Sequence, residues 1–249
     1  MFLAIDIGNS DIVFGWHENG SWSHQLRIPV GDYLSVQRRL SAYVEQSRLP
    51  WSQIDQIALS SVVPGITPSV SGQVTRSSGK AIFTLNQTVF EQLNLGIQNT
   101  AEIGSDLVAN AVAGFAHFHR SCIVVDFGTA LTFTVVNDKG HLRGVTIAPG
   151  LGTAMRALSS STAQLPQVPL ELPESAIGTS TPHALQAGIM LGYVGLVKEL
   201  INRMRDELGE KVPVAATGGL SQKLTPLSDF LEIVDPWLTL EGIRLIASR

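Results

Sequence analysis

Two stretches of the chain carry one arrangement twice: Ala4-Ile5-Asp6-Ile7-Gly8-Asn9-Ser10 and Val124-Val125-Asp126-Phe127-Gly128-Thr129-Ala130. In each, an apolar run meets an Asp, one apolar residue, a Gly and a small polar group, and a second apolar run follows. The chemistry that suits this order is phosphate binding. A Gly between two strands lets the backbone come close to a ligand, turn amides donate to phosphate oxygens, and the hydroxyls of Ser10 and Thr129 add donors. Asp6 then has the oxygen chemistry to hold Mg²⁺ through water. The plainer alternative is that Asp6 and Asp126 only stabilise their turns. One such turn favours that alternative. Two at matching positions, with a glycine turn at Thr217-Gly218-Gly219 able to admit an adenosine, favour the phosphate site. A further carboxylate, Asp106, follows Gly104-Ser105 at the start of an alanine-rich apolar stretch. At a helix N-terminus the dipole favours its ionised form, which can take a hydroxyl proton during phosphoryl transfer. From spacing alone a simple N-cap accounts for Asp106 more economically.

Other signatures are missing. Gly79-Lys80 has no glycine at the upstream position of a P-loop, and G-x-G-x-x-G, G-x-S-x-G and H-E-x-x-H do not occur. His117 and His119 form a close pair, but no Cys or acidic cluster joins them, so a surface helix end is preferred to a metal site.

The elements that must position these groups read as alternating strands and helices. Residues 2–7 and 12–16 form a hairpin around the turn 8–11. A helix is expected over 32–47 with Asp32 as cap, strands over 57–63 and 81–85, and a helix over 107–119. Residues 122–125 and 131–136 repeat the opening strand pair. The region 144–182 reads as loop-rich, with Pro149-Gly150 and four further prolines. A long helix over 183–208 carries Ala184, Gly188, Gly192 and Gly195 on one face, suited to close helix packing within the chain or across a dimer. A strand over 212–216 and a closing helix over 238–247, begun by Thr239, complete the pattern.

Asp126 lies 120 residues beyond Asp6 in a chain of 249. Duplication of one hairpin-led unit explains that offset better than chance and divides the chain into domains 1–120 and 121–249, facing one another. The mass of 26.7 kDa suits two such domains, and 44% hydrophobic with 15% charged residues describes an ordered globule. A net charge of −4 leaves no positive field for nucleic acid or an anionic membrane. The single Cys122 forbids an intrachain disulfide and reads as core packing in a reducing compartment. The first residues lack a basic leader pattern, and no window offers ~18 to 20 consecutive apolar residues, so a cytoplasmic location is expected.

Seven motifs in order now resemble a known family. Asp6-Ile7-Gly8-Asn9-Ser10, Gly104-Ser105-Asp106, Asp126-Phe127-Gly128-Thr129-Ala130, Thr162-Ala163-Gln164-Leu165-Pro166, Ile177-Gly178-Thr179-Ser180-Thr181, Thr217-Gly218-Gly219 and Asp235-Pro236-Trp237-Leu238-Thr239 are similar to those of type III pantothenate kinases. Each motif is weak alone, and their order over nearly the whole chain is specific. The resemblance implies an α/β fold of two similar actin-like, ribonuclease-H-like domains with a nucleotide cleft, and ATP-dependent phosphorylation of pantothenate to 4′-phosphopantothenate, the first step towards coenzyme A.

By matching positions it makes Asp6, Ile7, Gly8, Asn9, Ser10, Asp11, Ile12 and Val13 the nucleotide phosphate loop. Thr129 becomes an ATP contact, with Gly218 and Gly219 beside the nucleotide. Asp126 becomes the ligand of a monovalent cation, K⁺ or NH₄⁺, and Asp106 the base. Gly104, Ser105, Asp106, Leu107 and Thr181 become the pantothenate site, and the chain a homodimer. Two positions depart from the family pattern: Leu107 stands where the tetrapeptide G-x-D-R ends in arginine, and Val145 follows Gly144 where a second glycine is usual. Leu107 keeps open a divergent kinase for a related small alcohol. A nucleotide-binding regulatory protein without the reaction is the alternative from another class, and joint retention of Asp6, Asp106, Asp126 and Thr129 argues against it.

Overall fold

The computed structural model describes the chain except residues 97–99, 101 and 224 and the side chains of Gln222 and Thr225. From the N-terminus, β1 (Phe2–Ile7), β2 (Asp11–Glu18) and β3 (Ser21–Pro29) run as a meander. There follow α1 (Val36–Gln46), β4 (Gln56–Ser61), α2 (Thr67–Ser78), β5 (Ile82–Thr84), α3 (Gln87–Gln92) and α4 (Ser105–Phe118). The second half repeats the plan with β6 (Cys122–Phe127), β7 (Ala130–Val136) and β8 (Leu142–Pro149), then α5 (Leu151–Ser161). The helical run Thr181–Leu208 comprises α6 (Thr181–Gln186), a π segment over Ala187–Leu191 and α7 (Gly192–Leu208), and β9 (Val214–Thr217), β10 (Ile233–Val234) and α8 (Leu238–Ala247) end the chain.

The two sheets have one topology. In the order β3-β2-β1-β4-β5, the strands β1 to β3 pair antiparallel while β4 and β5 join in parallel. The order β8-β7-β6-β9-β10 reproduces that arrangement strand for strand. The duplication read from two motifs therefore extends to whole sheets.

Chain contacts gather Met1–Ala113 with Trp237–Arg249 in one compact unit and Gly114–Pro236 in another. This differs from a division at 120/121 in two ways. The division runs inside α4, and α8 packs on β1 and β4 of the first unit. Thr239 explains part of the second difference, because its hydroxyl bonds Asn110 Oδ1 on α4 at 2.8 Å instead of capping its own helix.

Alternation along β1 sorts the first unit into two cores. Leu3, Ile5 and Ile7 join Phe14, Trp16 and Leu59 against α1 and α2. Phe2, Ala4 and Ala58 face the other way, against Val108, Ala109 and Val112 of α4 and Leu240 and Ile243 of α8. In the second unit Ile123, Val125, Phe133 and Val214 pack under α5 and the long helical run through Met155, Met190, Tyr193 and Val197.

Local departures have local causes. Residues 30–35 form a 3₁₀ turn, so α1 starts only at Val36, and Asp32 pairs with Arg39 at 3.1 Å rather than capping. The region 144–182 contains most of β8 and all of α5. Pro149, read with Gly150 as a loop signal, ends β8, Gly150 is the junction to α5, and besides Gly150 only residues 162–180 carry neither helix nor strand. The run Thr181–Leu208 is long and apolar enough to cross a membrane by length and composition, which a search for an unbroken apolar window does not reveal. Here its Tyr193, Val197 and Ile201 enter the second core.

Candidate active site

Asp6 sits near the end of β1, opposite Val13 on β2 and beside Ser60 on β4. By alternation it shares the face of Phe2 and Ala4, the face that α4 covers. The turn after it closes with Gly8 N–H donating to Asp11 O at 3.0 Å, and Val30 N–H holds Ser10 O at 2.8 Å. Asn9 and Ser10 are exposed, while Ile7, Ile12 and Val13 are buried. Of residues 6–13, then, the last three named can offer a ligand only their main chain. Asp11 is turned outward to Arg27, 3.3 Å away.

Asp106 lies in the first turn of α4. Its Oδ1 accepts the N–H of Leu107 at 2.8 Å. Gly104 makes the room for this: a Cβ there would overlap Asp106 Oδ1 and touch Val62. Burial raises the carboxyl pKa above its ordinary value, with the N–H groups of Leu107 and of Asp106 itself pulling the other way. The helix terminus favours the charged form, and desolvation outweighs it. Raising the pKa makes this carboxylate a better proton acceptor.

Ser105 is spent differently. Its hydroxyl meets Ser60 Oγ at 2.8 Å, accepts from Ser61 N–H at 3.0 Å and donates to Ser61 O at 3.1 Å. With one donor and two acceptor sites, that hydroxyl is full. Only the main chain of Ser105 remains for an acceptor molecule. The Leu107 side chain is buried as well.

In the second unit, Asp126 stands opposite Thr132 and beside Thr217, the counterparts of Val13 and Ser60. Gly218 packs against it at φ +90°, where a Cβ would lie 2.5 Å from Asp126 Oδ1 and 2.7 Å from the backbone of Phe127. The structure thus brings Asp126 and the Thr217-Gly218-Gly219 turn together, and Gly219 has open space beside it. Thr129 is exposed at the tip of its turn. Its carbonyl accepts from Gly150 N–H at 3.0 Å and from Thr153 Oγ1 at 2.7 Å, and Arg156 Nη2 reaches Thr153 Oγ1 at 3.2 Å. Gly150 lies so close to the carbonyls of Gly128 and Thr129 that a Cβ would overlap them. Sequence reasoning singles out Pro149-Gly150 only as a loop signal and does not pick out Thr153 or Arg156. The signal was there in a Pro-Gly junction followed by a helical pattern.

Thr181 opens α6, and with Thr179, Ser180, Leu165 and Leu185 it lines a groove of about 510 Å³. Among the described residues no three His, Cys, Asp or Glu side chains form a metal cluster. A Mg²⁺ held by one carboxylate, waters and phosphate oxygens needs none, so Asp6 suits that role. His117 and His119 are exposed at the end of α4. Cys122 is buried, and burial pushes its thiol up to about 12, which suits packing and excludes a thiolate.

The family model described as type III pantothenate kinase matches residues 2–203. A type III pantothenate kinase of Treponema pallidum subsp. pallidum is 42% identical, covering 98% of this chain and 93% of its own. One from Moorella thermoacetica is 37% identical over 100% and 99%. Solved structures show the same fold at low identity. A conserved protein assigned to the Baf transcriptional-activator family from Campylobacter jejuni has a TM-score of 0.63 at 18% identity, covering 99% of this chain and 97% of its own. The activator of 2-hydroxyisocaproyl-CoA dehydratase from Clostridium difficile, with bound ADPNP, has 0.52 at 12%, covering 99% and 93%.

Proposed function

We propose, for a chain that belongs to the type III pantothenate kinase family and so phosphorylates pantothenate in coenzyme A biosynthesis, that Asp106 is the general base of the transfer. The observation that carries this is the convergence of two carboxylates in the first unit. Asp6 lies at the end of β1 on the face covered by α4, and Asp106 lies in the first turn of α4. Asp106 takes the proton of the primary hydroxyl while that oxygen forms its bond to the γ-phosphorus of ATP and the bond to the β–γ bridging oxygen breaks, leaving ADP. The turn amides of residues 8–10 supply donors to phosphate oxygens, as do the exposed hydroxyls of Ser10 and Thr129. Gly218 and Gly219 lie beside the nucleotide. Mg²⁺, held by Asp6 through water, would neutralise phosphate charge. Asp126 would hold K⁺ or NH₄⁺. By the family resemblance, Gly104, Ser105, Asp106, Leu107 and Thr181 are the positions proposed for pantothenate.

The chain works in the cytoplasm as a homodimer on a small-molecule substrate, with no nucleic-acid or membrane partner. A Cβ at Gly188, Gly192 or Gly195 would meet nothing within 4 Å, so this face is free to accept a second copy. The experiment is pantothenate phosphorylation with ATP, Mg²⁺ and K⁺, run beside Asp106→Asn and with Na⁺ for K⁺. Product that vanishes in the variant and falls in Na⁺ supports the base and the cation. No product from protein that binds ATP overturns the reading.

Leu107 supports one second reading, a preference for a neutral acceptor. Its buried side chain offers no charge to a substrate carboxylate. A charged hydrogen bond is worth roughly 1.5 to 3 kcal/mol, on the order of ten- to a hundredfold in affinity. Pantothenol, the neutral alcohol analogue, turned over better than pantothenate would establish that preference, and the reverse would end it.

A further inference from the structure

Ser60 is fully buried at the end of β4, on the strand rung beside Asp6. Partners on adjacent parallel strands point to one face, so Ser60 and Asp6 both turn toward α4. Its hydroxyl meets Ser105 Oγ at 2.8 Å, and Ser105 is the residue before Asp106. Ser105 Oγ also accepts Ser61 N–H at 3.0 Å and lies 3.1 Å from Ser61 O, so the two serine hydroxyls share a hydrogen bond in which either can be the donor. The end of β4 is braced in turn: Ser61 Oγ bonds Thr67 Oγ1 at 2.6 Å, and that hydroxyl bonds Val63 O at 2.9 Å.

A continuous set of hydrogen bonds therefore runs from the rung that carries Asp6 to the helical turn that carries Asp106. Two apolar residues of the same shape would be nearly neutral for stability in such a place. What hydroxyls add over methyl groups is direction. We infer that Ser60 and Ser105 are positioning residues that fix the first turn of α4 on the end of β4 and so set the place of the Asp106 carboxylate relative to Asp6. The inference rests on the assignment of Asp106 as base. Its consequence is that loss of either hydroxyl lets the carboxylate wander while the phosphate-binding turns stay as they were. Misplacement of a reacting group by about 1 Å costs on the order of a hundredfold in rate.

The test uses the full chain with pantothenate, ATP, Mg²⁺ and K⁺, and four variants: Ser60→Ala, Ser105→Val, Ser105→Thr and Asp106→Asn. Valine and threonine have one shape and differ in the hydroxyl, so any strain from the added branch cancels between them. Ser60→Ala and Ser105→Val are expected to lose kcat on the order of ten- to a hundredfold, with the KM for ATP within about twofold of the parent. Ser105→Thr keeps most of the parent kcat. Thermal melting, read in parallel, is expected to move little in Ser60→Ala, which adds no volume and carries the test if the branched variants fold badly. Equal kcat in Ser105→Val and Ser105→Thr, or full kcat in Ser60→Ala, overturns the inference. The control separates the two levels of the argument. An inactive Asp106→Asn beside fully active serine variants removes only the positioning role, whereas an active Asp106→Asn removes the base and the inference with it.

Discussion

The two Asp-x-Gly turns occupy equivalent places in equivalent sheets, yet they are held by different means. The motif glycines themselves are nearly alike: a Cβ on Gly8 would meet Asp11 O at 3.5 Å, and one on Gly128 would meet Ala130 O at 3.3 Å and Asp126 Oδ1 at 3.5 Å. The first turn is closed by main-chain bonds from Gly8 and Val30. The second is wedged, with Gly218 pressed on Asp126 and Phe127, and Gly150 pressed on the carbonyls of Gly128 and Thr129. The strand neighbours differ too. Beside Asp6 stands Ser60, bonded towards the carboxylate of α4, and beside Asp126 stands the strand that leads into the Gly218 turn. On the proposed reading, the copy that carries Asp6 and Asp106 is the side that handles a proton. The other has become a close-packed backbone cradle. Likeness of sequence between the turns goes with unlike surroundings.

The sharpest way to break this contrast is to remove the proton acceptor. Asp106→Asn is expected to lower kcat by roughly 10² to 10⁴-fold, the range of general-base catalysis. The pH profile follows from the direction of the shift. Burial raises the folded-state pKa above the unfolded one, so the ionised base disappears at a higher pH than for an exposed carboxylate, and the acid limb of kcat/KM lies above the ordinary Asp range. The same shift means that folding is favoured by this group below its unfolded pKa and that the contribution is lost as pH rises through the folded pKa. Asp106→Asn should therefore melt higher than the parent at neutral pH, with the advantage fading in acid. An inactive protein that melts lower at pH 7 would contradict the assigned burial.

Glycine substitutions sharpen the comparison between turns. Gly218→Ala meets both a positive φ and backbone atoms that cannot move aside, and is expected to cost on the order of 2 to 3 kcal/mol, read by denaturant unfolding. Gly8→Ala is expected to change stability by no more than about 0.5 kcal/mol. On the proposed reading its effect belongs in the KM for ATP, because the added methyl would stand where the backbone approaches phosphate. If both variants lose stability alike, the two turns are built alike and the contrast fails.

Much of this was legible in the residues because it depends on local signals. Two Asp-x-Gly turns, an alternating strand pattern and the start of α4 carry their geometry within a few residues of chain, and the sheets confirm the duplication they imply. The losses were of another kind. The return of α8 to the first unit depends on Thr239 bonding Asn110, a contact across 129 residues of sequence that no local pattern encodes. Asp32 looked like a cap because Asp commonly caps, but the 3₁₀ turn from Pro29 onward delays α1 past it. Ser105 looked like a substrate ligand by motif, and its hydroxyl is consumed by β4, which is 44 residues away in sequence. The Pro149-Gly150 signal reads equally as an irregular loop or as a break between a strand and a helix, because the two have the same composition.

The smallest expected effect tests what holds the second turn. The carbonyl of Thr129 has two donors, the main-chain N–H of Gly150 and the hydroxyl of Thr153. The comparable carbonyl in the first unit, that of Ser10, is held by the main chain of Val30, which side-chain substitution leaves in place. Thr153→Ala thus removes one of two bonds and releases Arg156 from the threonine oxygen. A neutral hydrogen bond on an exposed helix contributes about 0.5 to 1.5 kcal/mol at most, and with Gly150 still bound the loss in stability should lie at the low end. The KM for ATP is then expected to rise only a few-fold, since glycine packing, rather than the threonine hydroxyl, keeps the turn in place. A loss as large as that of Gly218→Ala would reverse that ranking. It would mean that the cradle is held by side-chain hydrogen bonds, like the β4–α4 junction of the first unit, and that the two halves differ less in construction than their glycines suggest.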